Sequence, residues 1–536
     1  MSILLCLACV LAAVTAYYIT YVYLRGRNSF LRKLQGPESP SFLLGNESQL
    51  RYQNEVGEHE FKWMRQYGSA WRRTGPLGVN HLSVADPKAL QYILHSSGYH
   101  FPKGKEVTQI IELILGQGVI WAHGTTHQRQ RKIMTPAFFA PQLRTFLPLF
   151  QDMASKLVQK WTDEVISPDP TGQPLINVTP WLSRTTLDII GEAGFDFHFG
   201  SLDNAKTPLA KQYENLFVDS TLYPSRLDVV FKALWHYIPQ PILHFVRYLP
   251  SREYRRFRSY SDYMRGFARG LIKESIVKGD GKDMMSVLLR ANLSSDLNGK
   301  MSEDEIIAQI STLLFAGHDT TSNTMTWFLW ELSKHPESQD RIRAEIEAVR
   351  AQKGEECLSP VDLDSMVYTQ AALKESMRLH PIAWILRRTA GRDDVIPLAF
   401  PITTRSGEQV SSIPIGKGTP IDILVGAYNR LPEIWGQDAD EWNPDRFLNI
   451  DKTKQATVGL FAGLLNFSGG LRGCIGWRFA ILEIQVIATM LLENFAFSLP
   501  PQSEKTRIYR KPGAMMIPMV ESEQGSWMGL IVKALK

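Results

Sequence analysis

The side chain best suited to chemistry is Cys474. It sits in Phe467-Ser-Gly-Gly-Leu-Arg-Gly-Cys-Ile-Gly476, with four glycines in ten positions, and an apolar stretch of helical period follows from Trp477 to about Leu492. Glycine admits positive φ and lets the backbone approach another body closely. A cysteine just ahead of a helix N-terminus meets exposed N–H groups and the positive end of the dipole, which favour its thiolate. Arg472 adds a cation suited to a carboxylate. A second constellation is Ala316-Gly317-His318-Asp319-Thr320-Thr321, in the middle of an otherwise apolar segment. Glycine, an acid and two threonines are poor helix formers, and polar groups are costly to bury.

The uses of such a cysteine narrow quickly. A structural cysteine has no need of this glycine density. A phosphate loop would close with Gly-Lys-Ser/Thr, which is absent. A cysteine hydrolase has no local signature here. A hydrolase stays possible, and a single thiolate on a haem iron is a known arrangement that leaves the opposite face open for oxygen.

These groups need long elements to hold them. Ser302 and Glu305 form a capping-box signature, and a helix of about 32 residues is expected from there to about Lys334. It spans about 48 Å and is apolar on most sides, hence buried. Its polar centre has two readings. One is a stripe satisfied by neighbouring helices. The other is a local distortion, in which the Thr320 hydroxyl takes the Ala316 carbonyl and Gly317 leaves a notch for a small ligand. Helical period recurs at 155–165 and 182–193, and His81-Leu-Ser-Val-Ala reads as a strand of a small sheet. The body is therefore mostly α with a minor β part.

The 536 residues carry 59 Lys+Arg and 54 Asp+Glu, a net charge of +5, too small to argue for nucleic acid. Of four cysteines, Cys6 and Cys9 lie in the apolar N-terminus and only Cys357 and Cys474 in the body. That excludes a disulfide framework or a tetrathiolate zinc site and favours a reducing, cytosol-facing compartment. Residues 3–24 are uncharged, and Arg25, Arg27, Arg32 and Lys33 follow. Such a stretch reaches about 33 Å, enough for a bilayer core. Charges after the apolar run favour an uncleaved anchor over a signal peptide. The expected organisation is a transmembrane anchor with basic flank at 1–27, a Pro/Gly-containing linker at 28–46 and a catalytic domain at 47–536. Residues 222–249, aromatic and broken by Pro239 and Pro241, read either as core or as a second membrane-dipping surface.

Phe467-x-x-Gly470-x-Arg472-x-Cys474-x-Gly476 resembles the haem-binding signature of the cytochrome P450 family at every fixed position, and three further motifs stand in the family's order. Ala316-Gly317-His318-Asp319-Thr320 resembles its oxygen-activation segment, which implies that Thr320 and Asp319 deliver protons to dioxygen. His318 falls at the variable position. Glu375-Ser-Met-Arg378 resembles the family's Glu–Arg pair, completed by Arg446 of Trp442-Asn-Pro-Asp-Arg-Phe447, a structural network that holds the cysteine loop. Taken alone, the three-residue spacing says only that two side chains share a helix face. His127-Gln-Arg-Gln-Arg131 resembles a segment in which many relatives carry tryptophan in place of His127. That likeness implies that His127 and Arg131 meet a haem propionate. Arg388 resembles another propionate-binding arginine, with Arg387 the competing choice. Residues 392–398 look like fungal, especially basidiomycete, members.

The resemblance implies the cytochrome P450 fold, mostly α with a small β region, behind a single N-terminal transmembrane helix. It implies haem b with Cys474 as axial thiolate and metal ligand, and Arg472, Phe467, Gly470, Gly476, Arg131, His127 and Arg388 around it. The activity implied is monooxygenation of a lipophilic small molecule, a terpenoid, sterol or other secondary metabolite, with O2 and electrons from an NADPH-dependent cytochrome P450 reductase. No Gly-x-Gly-x-x-Gly fingerprint follows a strand, so no flavin or nicotinamide domain is fused. Alternatives are a fatty-acid or aromatic xenobiotic hydroxylase, a reductase-independent haem-thiolate isomerase and a membrane haem protein without catalysis. The Asp319-Thr320 pair speaks against the last two. The implied location is the endoplasmic reticulum membrane, single-pass, with the body in the cytosol.

Overall fold

Ten helices and four strands position the site. The computed structural model describes residues 29–213, 216, 221–278, 281–294, 299–354, 356–449, 458–501, 507–523 and 525–535. The helices that matter here are α1 (Lys105–Leu115), α2 (Gly124–Met134), α3 (Leu147–Trp161), α4 (Val178–Phe195), α5 (Pro208–Tyr213), α6 (Arg252–Lys278), α7 (Glu303–Lys334), α8 (Pro336–Lys353), α9 (Val367–Leu379) and α10 (Trp477–Asn494).

The long central helix forms where its signals lie. The Ser302 hydroxyl accepts the Glu305 N–H at 3.3 Å, and the Glu305 carboxylate accepts the Ser302 N–H at 2.9 Å, so the capping box is complete. Such a cap is worth about 1 kcal/mol. α7 then runs unbroken to Lys334, buried on nearly all sides, with α4 as its most extensive neighbour. α10 is likewise apolar almost all round and packs on α3, where Phe479 meets Phe150 edge-on at 5.0 Å. α9 stops at Leu379, two residues before Pro381, because the residue ahead of a proline disfavours helical backbone.

A small sheet lies beside a second core. Its strands are β1 (Ala70–Thr74), β2 (Asn80–Val84), β3 (Leu386–Thr389) and β4 (Pro420–Ile423), in spatial order β1-β2-β4-β3. β2 is the strand read from His81-Leu-Ser-Val. β3 pairs with β4 so that Arg387 stands opposite Asp422 and Arg388 opposite Ile421. Since successive strand residues point to opposite faces, the two arginines are sent apart.

Two expectations about the N-terminal region change. Leu31 and Leu34 are fully buried in the sheet-side core, and Leu34 bridges to Thr404. Within the expected linker at 28–46 these leucines thus pack against the sheet-side core instead of running free. The anchored, single-pass reticulum location is also corrected: among the described residues no helix is long and apolar enough to cross a membrane. The apolar run at 1–27 on which that expectation rested lies outside the described residues. Residues 222–249 divide between the two readings. Trp235 and Leu243 are fully buried, while Tyr223, Leu227, Ile242, Phe245 and Tyr248 are exposed.

Candidate active site

The cysteine loop is shaped by approaches that bare backbone alone permits. Gly470 has φ +63°, and a Cβ there would lie 1.8 Å from the Leu94 carbonyl oxygen. A Cβ at Gly473 would meet Leu460 at 2.6 Å, and one at Gly476 would touch Phe138 at 3.4 Å. The Cys474 N–H donates to the Phe467 carbonyl at 2.9 Å, which folds the loop around the sulfur. The Phe467 ring packs beside Phe461 and Trp477.

Cys474 has accessible surface, yet burial pushes its thiol up from the ordinary value, against opposing pulls from the Gly476 N–H and the Arg131 charge. Both facts describe a sulfur on a wall that is open on one side and surrounded by protein on the others. The expectation that the helix start lowers this thiol is thus corrected, because desolvation outweighs it. A coordinated metal cation reverses that balance, since it deprotonates a bound thiol.

Around this wall stands a set of cations without acids. Arg131 donates to the Gly473 carbonyl at 2.6 Å. Arg472 donates to the Ala122 carbonyl at 3.0 Å and contacts His123 Nδ1 at 2.9 Å, with its guanidinium over the Tyr99 ring. His127 Nδ1 meets the Tyr99 hydroxyl at 2.7 Å. Lys103 Nζ donates to the Ile120 carbonyl, and Lys103 bridges backbone to backbone with Arg388. Arg388 is buried, and among the described residues its side chain donates to the Arg387 carbonyl alone, at 3.0 Å. Among the described residues none of these groups has a carboxylate partner. Burial, then repulsion from Arg472 and its neighbours, brings His123 down to about 4, His127 to about 3 and Arg388 to about 10, and holds Lys103 well below its ordinary value. Buried charges are expected to be paired. A flat group carrying two carboxylates, seated against Cys474, supplies the missing charge, so these residues fit haem.

Arg387 is committed elsewhere. It reaches Glu47 at 2.6 Å and Asp422 at 3.9 Å. Arg73 also meets Glu47 at 3.0 Å. Of the two adjacent arginines, Arg388 is the one that faces the acid-free cluster.

A buried network supports the loop from behind. Arg378 makes a bidentate pair with Glu375 at 2.8 and 2.7 Å, and both side chains are fully buried. Its remaining donors go to the carbonyls of Asn429, Ala439 and Glu441. Glu375 also accepts the Asn443 N–H at 2.9 Å and approaches Arg446 at 3.3 Å, while Arg446 pairs with Asp438 at 2.7 Å. Asn429 then carries the network forward by donating to Asn466 at 2.9 Å, and Asn466 donates to the Met377 carbonyl at 2.7 Å. The helix with Glu375 and the loop with Cys474 are thereby joined through two asparagines.

The polar centre of α7 is only partly as expected. The Thr320 hydroxyl does take the Ala316 carbonyl, at 2.8 Å, but the helix stays continuous. Gly317 leaves no notch. A Cβ there would fall 2.7 Å from Ile190 Cγ1, so its bare face is filled by α4. Glycine at this position serves close helix packing. His318 and Asp319 contact each other, Nε2 to Oδ1, at 3.0 Å.

This fold and site define a haem-thiolate oxygenase framework. The family described as cytochrome P450 matches residues 34–522, and the chain belongs to that family. It is 33% identical to cytochrome P450 monooxygenase 91 of Postia placenta, covering 88% of this chain and 89% of that protein. It is 32% identical to cytochrome P450 monooxygenase 205 of the same fungus over 99% and 98%, and 30% identical to cytochrome P450 monooxygenase claU of Ampulloclitocybe clavipes over 95% and 94%. The protein is an oxidoreductase of the monooxygenase type whose cofactor is haem b with an axial cysteine thiolate, and its relatives are fungal.

Sequence reading missed Lys103, a further cation of the cluster, His123 and Tyr99, which contact Arg472 and His127, and Asn429, which links the Glu375 network to the loop. It also missed Glu483 of α10. That side chain is fully buried, with Thr321 of α7 as its polar neighbour, and burial raises it well above the ordinary carboxyl range. Its one signal was an acid inside an apolar helix.

Proposed function

We propose that Cys474 is the axial ligand, that Arg131, Arg388 and Arg472 with His127 receive the haem propionates, and that Asp319 and Thr320 carry protons for monooxygenation of a lipophilic small molecule. A terpenoid, sterol or other secondary metabolite is the favoured substrate class, with an NADPH-dependent cytochrome P450 reductase as electron donor. The observation that carries this reading is the cluster of buried and half-buried basic side chains, without an acid partner among the described residues, beside an accessible sulfur. The described chain from residue 30 onward then forms one haem-binding catalytic domain.

Thiolate-bound haem supplies oxygen activation, in which electron density from sulfur favours O–O cleavage. The chain's own residues do the rest. Gly470, Gly473 and Gly476 keep the loop thin enough to bring the sulfur forward. Glu375, Arg378 and Arg446 hold that loop from the protein side. Propionates against Arg131, Arg388 and Arg472 would be paired, which removes the mutual repulsion of those cations. Thr320 keeps its hydroxyl tied to the Ala316 carbonyl, next to the ionisable Asp319. The overall chemistry converts a C–H bond and O2, with two electrons and two protons, into C–OH and water.

The test is turnover of a panel of terpenes, sterols, fatty acids and small aromatics, with and without reductase and NADPH, beside the reduced carbon monoxide spectrum. Product that requires reductase and NADPH supports the reading. A thiolate spectrum with reductase-independent isomerisation contradicts it.

A further inference from the structure

His318 occupies the variable position of the oxygen-activation segment. Its side chain is 3% exposed and engaged at both ring nitrogens. Nδ1 lies 2.7 Å from the Leu314 carbonyl oxygen, one turn back, and Nε2 lies 3.0 Å from Asp319 Oδ1. A carbonyl has no proton to give, and an ionised carboxylate only accepts. A neutral imidazole has one N–H and satisfies one of these two neighbours. With that N–H on the Leu314 carbonyl, Nε2 and Oδ1 would face each other lone pair to lone pair at 3.0 Å, so the ion-pair contact favours a second proton, on the ring or on the carboxyl group. We propose that His318 and Asp319 form a proton-storing pair, which holds one proton beyond a neutral ring and an ionised carboxylate and lets His318 reload Asp319 during oxygen activation. This rests on the assignment of Asp319 and Thr320 to proton delivery.

The transfer balances. One proton leaves Nε2 for Oδ1, and the ring remains neutral with its Nδ1–H kept on the Leu314 carbonyl. Asp319, 28% exposed, then passes a proton on, and a solvent proton restores the pair. The pair supplies one of the two protons consumed per turnover, while both electrons come from the reductase. His318 acts through Asp319 and is a positioning residue.

The surroundings isolate the pair. From α5 the Tyr213 ring lies 4.6 Å from the imidazole, and from α6 the Tyr260 hydroxyl donates to that of Tyr213 at 3.2 Å. Burial, first of all, raises both phenols, and burial also raises Tyr263 of α6, so these are neutral groups. From α4 the Thr186 hydroxyl donates to the His318 carbonyl at 3.0 Å, and Ile190 fills the space at Gly317. From α10 Glu483 reaches α7 one turn on, at Thr321, with its carboxyl raised by burial. Asp319 is thus the ionic partner of the ring. Burial alone would push His318 down, and Asp319 reverses this and leaves it raised. The stored proton is present below that raised value and is lost as pH climbs through it.

The decisive readout is nitrogen-15 NMR of the histidine-labelled, haem-loaded full chain in its diamagnetic ferrous carbon monoxide form, with His318→Gln identifying the signal. The His318 ring is expected to carry protons on both nitrogens at neutral pH, and Asp319→Asn is expected to lower its titration midpoint by about one pH unit or more. In reductase-driven NADPH oxidation, His318→Gln is expected to retain the thiolate spectrum, to raise hydrogen peroxide released per NADPH several-fold and to lose the alkaline limb of that yield. A ring with a single proton at neutral pH overturns the pair. Unchanged peroxide yield in His318→Gln, with a raised yield in Asp319→Asn, overturns the reloading role and leaves the Asp319 assignment standing. Unchanged yield in both variants overturns the Asp319 assignment and the pair with it.

Discussion

Glu375→Ala is expected to destabilise the chain far more than its distance from the sulfur suggests. The change strips Arg378 of two bonds, at 2.8 and 2.7 Å, while its guanidinium stays fully buried. It also orphans the Asn443 N–H, which has Glu375 as acceptor at 2.9 Å. Removing one partner of a buried ion pair costs about 3–5 kcal/mol. An unsatisfied buried donor adds about 1–3 kcal/mol. A loss on the order of 5 kcal/mol is therefore expected, against a total stability of about 5–15 kcal/mol. Arg446→Ala is the internal control. Its guanidinium is 10% exposed, its contact with Glu375 is 3.3 Å, and its partner Asp438 is 41% exposed, so about 2 kcal/mol is expected. Urea unfolding of both haem-loaded variants, followed by the haem absorption band and by far-ultraviolet circular dichroism, gives the comparison. Because Asn429 and Asn466 connect Glu375 to the loop, the haem signal of Glu375→Ala is expected to fall at lower urea than the helix signal. The reasoning is refuted if Glu375→Ala costs less than Arg446→Ala, or if neither exceeds about 1 kcal/mol.

Arg388→Ala is expected to weaken haem retention, measured by transfer to a haem acceptor protein, with little change in folding. Arg387→Ala is expected to do the opposite, because it leaves Glu47 short of one of its buried partners; equal effects would contradict the division between the two arginines. Thr320→Ala is expected to retain the thiolate spectrum and to divert NADPH into peroxide, as read by product formed per NADPH. Glu483→Gln is expected to change the pH dependence of stability. The folded carboxyl holds its proton well above the ordinary carboxyl range while the unfolded one does not, so the wild type loses stability as pH rises through that window and the amide does not. Parallel unfolding curves of the two proteins across that window would contradict the buried, protonated acid.

The parts legible in the sequence are those with local signals. The capping box at Ser302 and the apolar run behind it located α7 to its last residue, and the glycines around Cys474 marked the loop and the start of α10. What stayed hidden depends on chain segments far apart in sequence. Lys103, His123 and Arg388 are ordinary surface-type residues until the β3 bridge and the cysteine loop bring them together without acids. Arg387 and Arg388 are equivalent on paper, and strand alternation against Asp422 separates them. Gly317 left a ligand notch and an ordinary packed helix equally open when read alone, and it faces Ile190. The Cys474 thiol was read from its helix position, whereas desolvation, a property of the whole enclosure, outweighs that local field. Leu31 and Leu34 were read as linker because the core that takes them is assembled from segments as far apart as Leu50, Trp71, Ile396 and Ile421.

The central claim is that Cys474 is the axial sulfur. Its most direct measurement is the reduced carbon monoxide difference spectrum of the haem-loaded full chain beside that of Cys474→Ala, with Cys357→Ala as a control for the exposed second thiol of the body. The thiolate band is expected in the wild type and in Cys357→Ala, and is expected to vanish in Cys474→Ala even where haem is retained. A normal thiolate band in Cys474→Ala would contradict the assignment.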